Sequence, residues 1–211
     1  MITDILVIGS GISGLTYAIK IGEQNPELQL TIISKNNLLE SNTRYAQGGI
    51  AVVSNFQKDS YDKHIEDTLI AGAGKCDEEV VKFVVEEGHE RLQELMDWGT
   101  QFDKKEKGLH LTKEGGHSEN RIVHHKDSTG LEIQESLIRK IKTFPNISLL
   151  ENHTLVDLIT DHHTGSLNKR CYGAYVIQNL EQEIIRISSK ITVLSTGAVS
   201  YTHLTLPTIY S

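Results

Sequence analysis

Cysteine is scarce: the 211 residues hold two, Cys76 and Cys171, far apart and without paired spacing. That excludes a disulfide framework and a Cys-x-x-Cys motif, and reads as reduced thiols in a cytoplasmic protein. Excess positive charge is missing too. The formal net charge of −7 leaves no electrostatic footprint for nucleic acid or an anionic membrane. No apolar run approaches a membrane span, and nothing ahead of residue 5 resembles a signal peptide. No Gly-x-Ser-x-Gly elbow or other nucleophile signature occurs. Ten histidines are present, but their spacing does not predict a metal centre. His124-His125 and His162-His163 are adjacent pairs that point in different directions, and His110 and His117 stand seven apart with no cysteine between. They read as loop histidines, one or two recruited to an anionic ligand. With 38% hydrophobic and 23% charged residues, the chain has the balance of an ordinary soluble protein, long enough to bury a real core.

What is present starts almost at once. An apolar run over residues 5–8 breaks at Gly9-Ser-Gly11-Ile-Ser-Gly14 and resumes as Leu15-Thr-Tyr-Ala-Ile-Lys-Ile21. This predicts a buried strand, a tight turn and a helix start. Gly9 permits the turn, Gly11 lets backbone N–H groups approach a pyrophosphate, and Gly14 lets the helix pack on its strand. The helix N-terminus adds unsatisfied N–H groups and a positive dipole end. Residues 28–34 read as the second strand of a βαβ unit. About 20 residues past the glycines, a nicotinamide-binding chain normally carries an acid for the ribose hydroxyls. Ser34-Lys35 stand there instead, which suits a cofactor whose diphosphate or adenosine end meets a hydroxyl and an ammonium.

Further on, residues 41–53 are small, glycine-rich and apolar, as in a segment lying against something flat. Residues 59–73 are helical in pattern. Asp77 is a predicted N-cap with Glu78 and Glu79 behind it. Val81, Val84, Val85, Leu92, Leu95 and Met96 form an expected core stripe ending near Gly99. Residues 100–128 have little periodicity. Leu131, Gln134, Leu137, Ile138 and Ile141 restore helical spacing until Pro145. Runs at 147–150 with 154–159, at 172–178 and at 183–187 read as a small β-meander, and 190–197 as a return to the parallel sheet. The expected class is α/β and Rossmann-like, with a parallel sheet, a βαβ start and a small meander.

Several motifs stand together in register: the glycine turn, Ser34-Lys35, Asn42-Thr-Arg-Tyr-Ala-Gln-Gly-Gly-Ile-Ala51, His64-Ile-Glu-Asp-Thr-Leu-Ile-Ala-Gly-Ala-Gly74 and His110-Leu-Thr-Lys-Glu-Gly-Gly-His-Ser118. Together they resemble the L-aspartate oxidase family of the succinate dehydrogenase/fumarate reductase flavoprotein group. The likeness runs from about residue 3 to 197 and covers the N-terminal part of a protein more than twice as long. It implies FAD. Gly9, Ser10, Gly11, Ile12, Ser13 and Gly14 would hold the diphosphate, and Ser34 and Lys35 would meet the adenosine side. Asn42, Thr43, Arg44, Tyr45, Ala46, Gln47, Gly48 and Gly49 would line the isoalloxazine, and Thr154 and Leu155 would give backbone contacts to the adenine. Succinate dehydrogenases and quinol-linked fumarate reductases carry a flavin-linked histidine where this chain has Asn42, so FAD is expected to be non-covalent. Glu114 matches the family's residue that orients L-aspartate, and a carboxylate there suits a substrate ammonium. The implied reaction is oxidation of L-aspartate to iminoaspartate, hydride passing from Cα to the flavin. O₂ or fumarate would accept the electrons, and quinolinate synthase would take the product towards NAD.

The family's active-site arginine, and the other Arg and His groups that clamp the dicarboxylate, fall beyond residue 211. Residues 1–197 are therefore expected to be an incomplete FAD-binding domain without its capping and C-terminal helical domains, inactive by itself. After Thr196-Gly197 the likeness stops. The last thirteen residues contain no Asp, Glu, Lys or Arg, and 200–208 resemble translated sequencing-adapter DNA, so 198–211 read as a non-native tail. Two other readings stand beside the oxidase. One is a soluble fumarate reductase or succinate dehydrogenase-type flavoprotein, against which Glu114 argues. The other is a non-catalytic FAD-binding module, favoured if 211 residues is the true length.

Overall fold

A computed structural model describes residues 1–105, 108–161 and 170–197. The expected tail at 198–211 and the pair His162-His163 lie outside the described residues. In chain order the first elements are β1 (Ile2–Ile8), α1 (Ile12–Gln24), β2 (Leu30–Ile33), β3 (Ile50–Ala51), α2 (Tyr61–Ala71) and α3 (Glu78–Asp97). Four short strands follow, β4 (Lys104–Lys105), β5 (Gly108–Leu109), β6 (Leu111–Thr112) and β7 (Ile122–Val123). The rest are α4 (Thr129–Ile141), β8 (Ile147–Leu150), β9 (His153–Thr160), β10 (Cys171–Gln178) and β11 (Glu183–Leu194). These fall into two compact units, one of Met1–Asn42 with the chain from Ile141 on, the other of Thr43–Lys140. No described helix is long and apolar enough to cross a membrane.

The first unit is a six-stranded sheet in the order β8-β2-β1-β11-β10-β9. Pairing is parallel from β8 to β11 and antiparallel from β11 to β9. β1 and β2 are almost wholly buried, as parallel strands covered on both faces must be. The βαβ start is as the sequence predicts, and α1 buries Leu15, Ala18 and Ile19 beside Gly14 and Gly22. The antiparallel strands pack back over the parallel ones. Leu6, Ile8 and Ile33 share one buried cluster with Ala174, Val176 and Ile187.

Two expectations are corrected in this unit. The runs at 183–187 and 190–197 are one strand rather than two, because β11 serves two neighbours in succession. Its first half pairs antiparallel with β10 and its second half parallel with β1, and Ser188 pairs with both Gly173 and Ile2. The polar Ser188-Ser189-Lys190 marks this change of partner rather than a turn, and the Lys190 ammonium lies 2.7 Å from Asp4. The run at 147–150 does not belong to the meander. A strand delivered by a helix arrives parallel, and β8 pairs with β2 at the sheet's edge. Asn152, at φ 58°, then redirects the chain into β9.

The second unit holds α2, α3, most of α4 and two small antiparallel sheets, β3-β7-β6 and β4-β5. Asp77 caps α3 as predicted, accepting from the N–H groups of Glu79 (3.0 Å) and Val80 (3.2 Å). Gly99 ends that helix at φ 101°. The stripe is narrower than expected. Val85, Leu92 and Leu95 are buried, whereas Val84 is 58% exposed beside exposed Val80 and Phe83. Val84 lies within about 20° of Leu95 in helical phase, so phase does not separate them. Among the described residues, covering neighbours reach the C-terminal half of α3 and not that flank of its start.

Candidate cofactor and substrate site

The glycine turn opens at the carboxyl end of β1, between the ends of β2 and β11. In open α/β sheets that is where ligands sit. Gly9 adopts φ 118°, and a Cβ there would run into the carbonyl of Ser195. A Cβ on Gly14 would run into the carbonyl of Gly9. Gly11 is the N-cap of α1 with extended backbone and no side-chain cap bond, and the first turn carries no acid. The positive end of α1 thus meets no carboxylate from its own first turn, which fits a diphosphate.

The structure brings Ser10 and Ser34 together, and their hydroxyls are used in the fold. Ser10 Oγ lies 3.0 Å from Ser34 Oγ and donates to the Leu38 carbonyl at 3.0 Å, while Ser34 Oγ donates to the Asn37 carbonyl at 3.3 Å. Two hydroxyl protons are shared among three contacts, tying the glycine turn to the loop after β2. Lys35 is exposed. Its carbonyl accepts from Asn179 Nδ2 at 2.7 Å, and Asn179 Oδ1 accepts from Thr154 Oγ1 at 3.0 Å. One side chain thereby joins Lys35 to Thr154, two of the residues that the family resemblance assigns to the adenosine end. Leu155 packs at the edge of the core cluster. The sequence reading did not single out Asn179; its signal is an Asn opening the turn between two strands. Asn42 is exposed, and its Nδ2 lies 3.8 Å from the point a Cβ on Gly197 would take.

In the second unit, residues 43–46 form a turn in which the Ala46 N–H donates to the Thr43 carbonyl (3.2 Å). The first turn of α4 is laid against it. The Gly130 N–H donates to the Ala46 carbonyl at 3.0 Å, and a Cβ on Gly130 would collide with the Thr43 carbonyl and lie 2.9 Å from the Ala46 Cβ. The Arg44 guanidinium sits 5.7 Å from the centre of the Tyr45 ring. Tyr45, Ala46, Gln47 and Gly48 are exposed, while a Cβ on Gly49 would strike Ile122 and the Val123 carbonyl. Glu114 lies on an exposed turn, and its Oε1 is 3.9 Å from the point a Cβ on Gly48 would take. Two separately predicted features, the 43–49 segment and Glu114, thus meet. The ammonium of neighbouring Lys113 donates to the Ser118 carbonyl at 3.0 Å.

A buried charge network beside Glu114 escaped the sequence reading. The fully buried Arg121 donates through Nε and Nη2 to the two oxygens of Asp59, both at 2.8 Å, and through Nη1 to Asp67 at 2.5 Å. Asp67 also accepts from the N–H (2.7 Å) and hydroxyl (2.8 Å) of Ser118. Burial alone would raise the Asp67 carboxyl, but the two Ser118 bonds and Arg121 outweigh it and lower the pKa to about 2. Burial likewise opposes ionisation of Asp59, and the bonds from Arg121 and the Ser60 N–H still leave it below the usual carboxylate value. His64 is buried, its ring 5.8 Å from that of His117, and its Nδ1 has no hydrogen-bond partner among the described residues. Burial, then the charge of Arg121, push its pKa down. Among the described residues no three His, Cys, Asp or Glu side chains stand together as metal ligands.

The family described as FAD binding domain matches residues 4–209. The chain belongs to that family. FAD is its cofactor, and the crowded glycines and the uncapped start of α1 fit it. L-aspartate oxidase 1 of Ralstonia nicotianae is 41% identical over 204 residues, covering 95% of this chain and 38% of that protein. The chloroplastic L-aspartate oxidase of Arabidopsis thaliana is 43% identical over 199 residues, covering 94% of this chain and 30% of that protein. Among solved structures, an E. coli quinol fumarate reductase superposes with a TM-score of 0.84 at 26% identity, covering 94% of this chain and 33% of that one. The chain therefore spans about a third of the length of such relatives.

Proposed function

We propose that this chain is the N-terminal part of an FAD-dependent oxidase acting on L-aspartate, with iminoaspartate as product. The observation that carries the proposal is the carboxylate of Glu114 beside Gly48, within a chain 41% identical to an L-aspartate oxidase. The backbone N–H groups of residues 10–13 and the start of α1 would hold the diphosphate. Ser34, Lys35, Thr154 and Leu155 would meet the adenosine end, and Asn42 to Gly49 the isoalloxazine. Asn42 has no ring nitrogen to bond the flavin, so binding is non-covalent. Bound FAD supplies the two-electron acceptor, with O₂ or fumarate taking the electrons onward.

Glu114 accepts a charge-assisted hydrogen bond from the substrate ammonium and so fixes the direction of its Cα–H. Succinate offers no donor to that carboxylate. The cations that neutralise the two substrate carboxylates belong to sequence outside this chain. The setting is cytoplasmic, and the product would pass to quinolinate synthase on the route to NAD.

The test is anaerobic addition of L-aspartate, or of succinate, to the full-length FAD-loaded protein, followed by the flavin's visible absorbance. Bleaching by L-aspartate and not by succinate is expected. Bleaching by succinate alone would replace this reading with a succinate dehydrogenase or fumarate reductase activity. Bound flavin that neither acid bleaches would replace it with a non-catalytic module.

A further inference from the structure

We infer that Arg121 is a positioning residue for Glu114, acting through Ser118 and His117; this rests on the substrate role given to Glu114 above. The turn over residues 113–118 has little to hold it by packing. Lys113, Glu114, Gly115, Gly116 and Ser118 are exposed, and a Cβ on Gly115 would meet nothing within 4 Å. Gly116 adopts φ 85°. Within the turn, the His117 N–H donates to the Glu114 carbonyl at 3.3 Å. The Lys113 ammonium donates to the Ser118 carbonyl, and Lys63 of α2 pairs with Glu119 at 2.8 Å. The tethers of the His117 and Ser118 side chains run to Arg121 and to its partner Asp67.

All five N–H donors of Arg121 are committed. Nε and one Nη2 hydrogen clamp Asp59, and one Nη1 hydrogen takes Asp67. The second Nη1 hydrogen faces His117 Nδ1 at 3.3 Å, and the second Nη2 hydrogen faces Ser118 Oγ at 3.4 Å. Because Arg121 only donates, this contact uses His117 Nδ1 as the acceptor. Asp59 lies just before α2, Asp67 lies within α2, and Arg121 directly precedes β7. The network therefore pins both ends of the 117–121 stretch to one helix and so sets where the Glu114 turn stands. A fully buried arginine between two carboxylates is costly to desolvate and is a poor device for stability alone. It suits a loop that must be exposed to its ligand and still be rigid. Lysine, with three donors on a flexible stem, cannot make the same five contacts.

The experiment compares R121K, E114Q and the double variant in the full-length FAD-loaded protein. Loss of the aligned carboxylate is expected to raise KM for L-aspartate about tenfold in R121K, with kcat changed by less than about twofold. Flavin content and competitive inhibition by succinate should stay as in the parent protein, since succinate does not use Glu114. R121K/E114Q should be no worse than E114Q, because both changes remove the same interaction. Additive effects, or a matching loss of succinate inhibition, would overturn the inference. Amide exchange supplies a readout independent of substrate: R121K should unprotect the N–H groups of His117 and Ser118 and leave the middle of α2 protected. Unchanged protection at those two amides would overturn the positioning role. If the parent protein ignores L-aspartate while the exchange result holds, the substrate reading fails and the inference narrows to control of the turn itself.

Discussion

Arg121→Met keeps most of the side chain's length and removes its charge. Asp59, whose side chain is 3% exposed, and Asp67, at 15%, would then face each other with no cation between them. Breaking a buried ion pair by removing one partner costs about 3–5 kcal/mol. That is a large share of the roughly 5–15 kcal/mol by which a whole domain is stable. The chain's one tryptophan, Trp98, ends α3 in the same unit as Arg121, so its fluorescence in a urea titration follows the unfolding of that unit. The pH dependence is the sharper part. In the parent protein Asp67 is lowered from 3.8 to about 2, so its contribution is complete above pH 3.8 and is lost as pH falls through about 2. That shift corresponds to about 2 kcal/mol. In the variant both carboxylates lose their cation, so their pKa values rise relative to the parent's, although Asp67 keeps its two Ser118 bonds and Asp59 the bond from the Ser60 N–H. The variant's deficit is therefore greatest at neutral pH and shrinks on acidification, as its carboxylates take up protons before the parent's do. A deficit below about 1 kcal/mol at neutral pH, or one that does not change with pH, would refute the buried-network account.

Gly130→Ala places a methyl against the Thr43 carbonyl and Ala46, which should cost about 1–3 kcal/mol and displace the 43–46 turn. Weaker FAD binding by equilibrium dialysis is expected, and unchanged affinity would separate that turn from the flavin. His64→Leu removes a buried imidazole whose pKa lies below its ordinary 6.5. The folded parent holds His64 neutral while the unfolded chain binds a proton, so stability falls as pH drops below 6.5. The variant should lack that part of the decline, and melting curves with equal pH slopes for both proteins would disprove the assignment.

What was legible in the sequence was local. The glycine turn, the Asp77 cap and the Gly99 stop each depend on residues within a few positions, and each is found where the pattern puts it. β11 was not legible as one strand because its polar middle, which looks like a turn, is a change of partner visible only from β1 and β10. The exposure of Val84 is not legible because helical phase is a property of the sequence, while cover is a property of the neighbours. Arg121 gave no signal at all, since Asp59 and Asp67 lie 62 and 54 residues away and a single arginine between Asn120 and Ile122 belongs to no motif. Gly130 reads as a weak spot in a helix until Thr43 and Ala46 are seen to occupy its Cβ position. Glu114 was reached only through the family resemblance, because an exposed acid between Lys113 and Gly115 has no spacing that distinguishes it.

The two units solve the same problem with different chemistry. The parallel sheet is rigid through apolar burial where β1 and β2 are covered on both faces, and the glycine turn inherits that order from β1 and α1. The turn bearing Glu114 has no such route. A carboxylate exposed on a turn stays hydrated, and the glycines that shape the turn bring no apolar surface to bury. Rigidity must then come from directional bonds, and bonds strong enough to fix an exposed loop require charge. Charge placed at the surface would be screened and worth little. Placed inside, it must be nearly fully paired, which is why five donors, two carboxylates, a serine and a histidine stand together beside a turn whose own sequence is mostly glycine and solvent-facing charge.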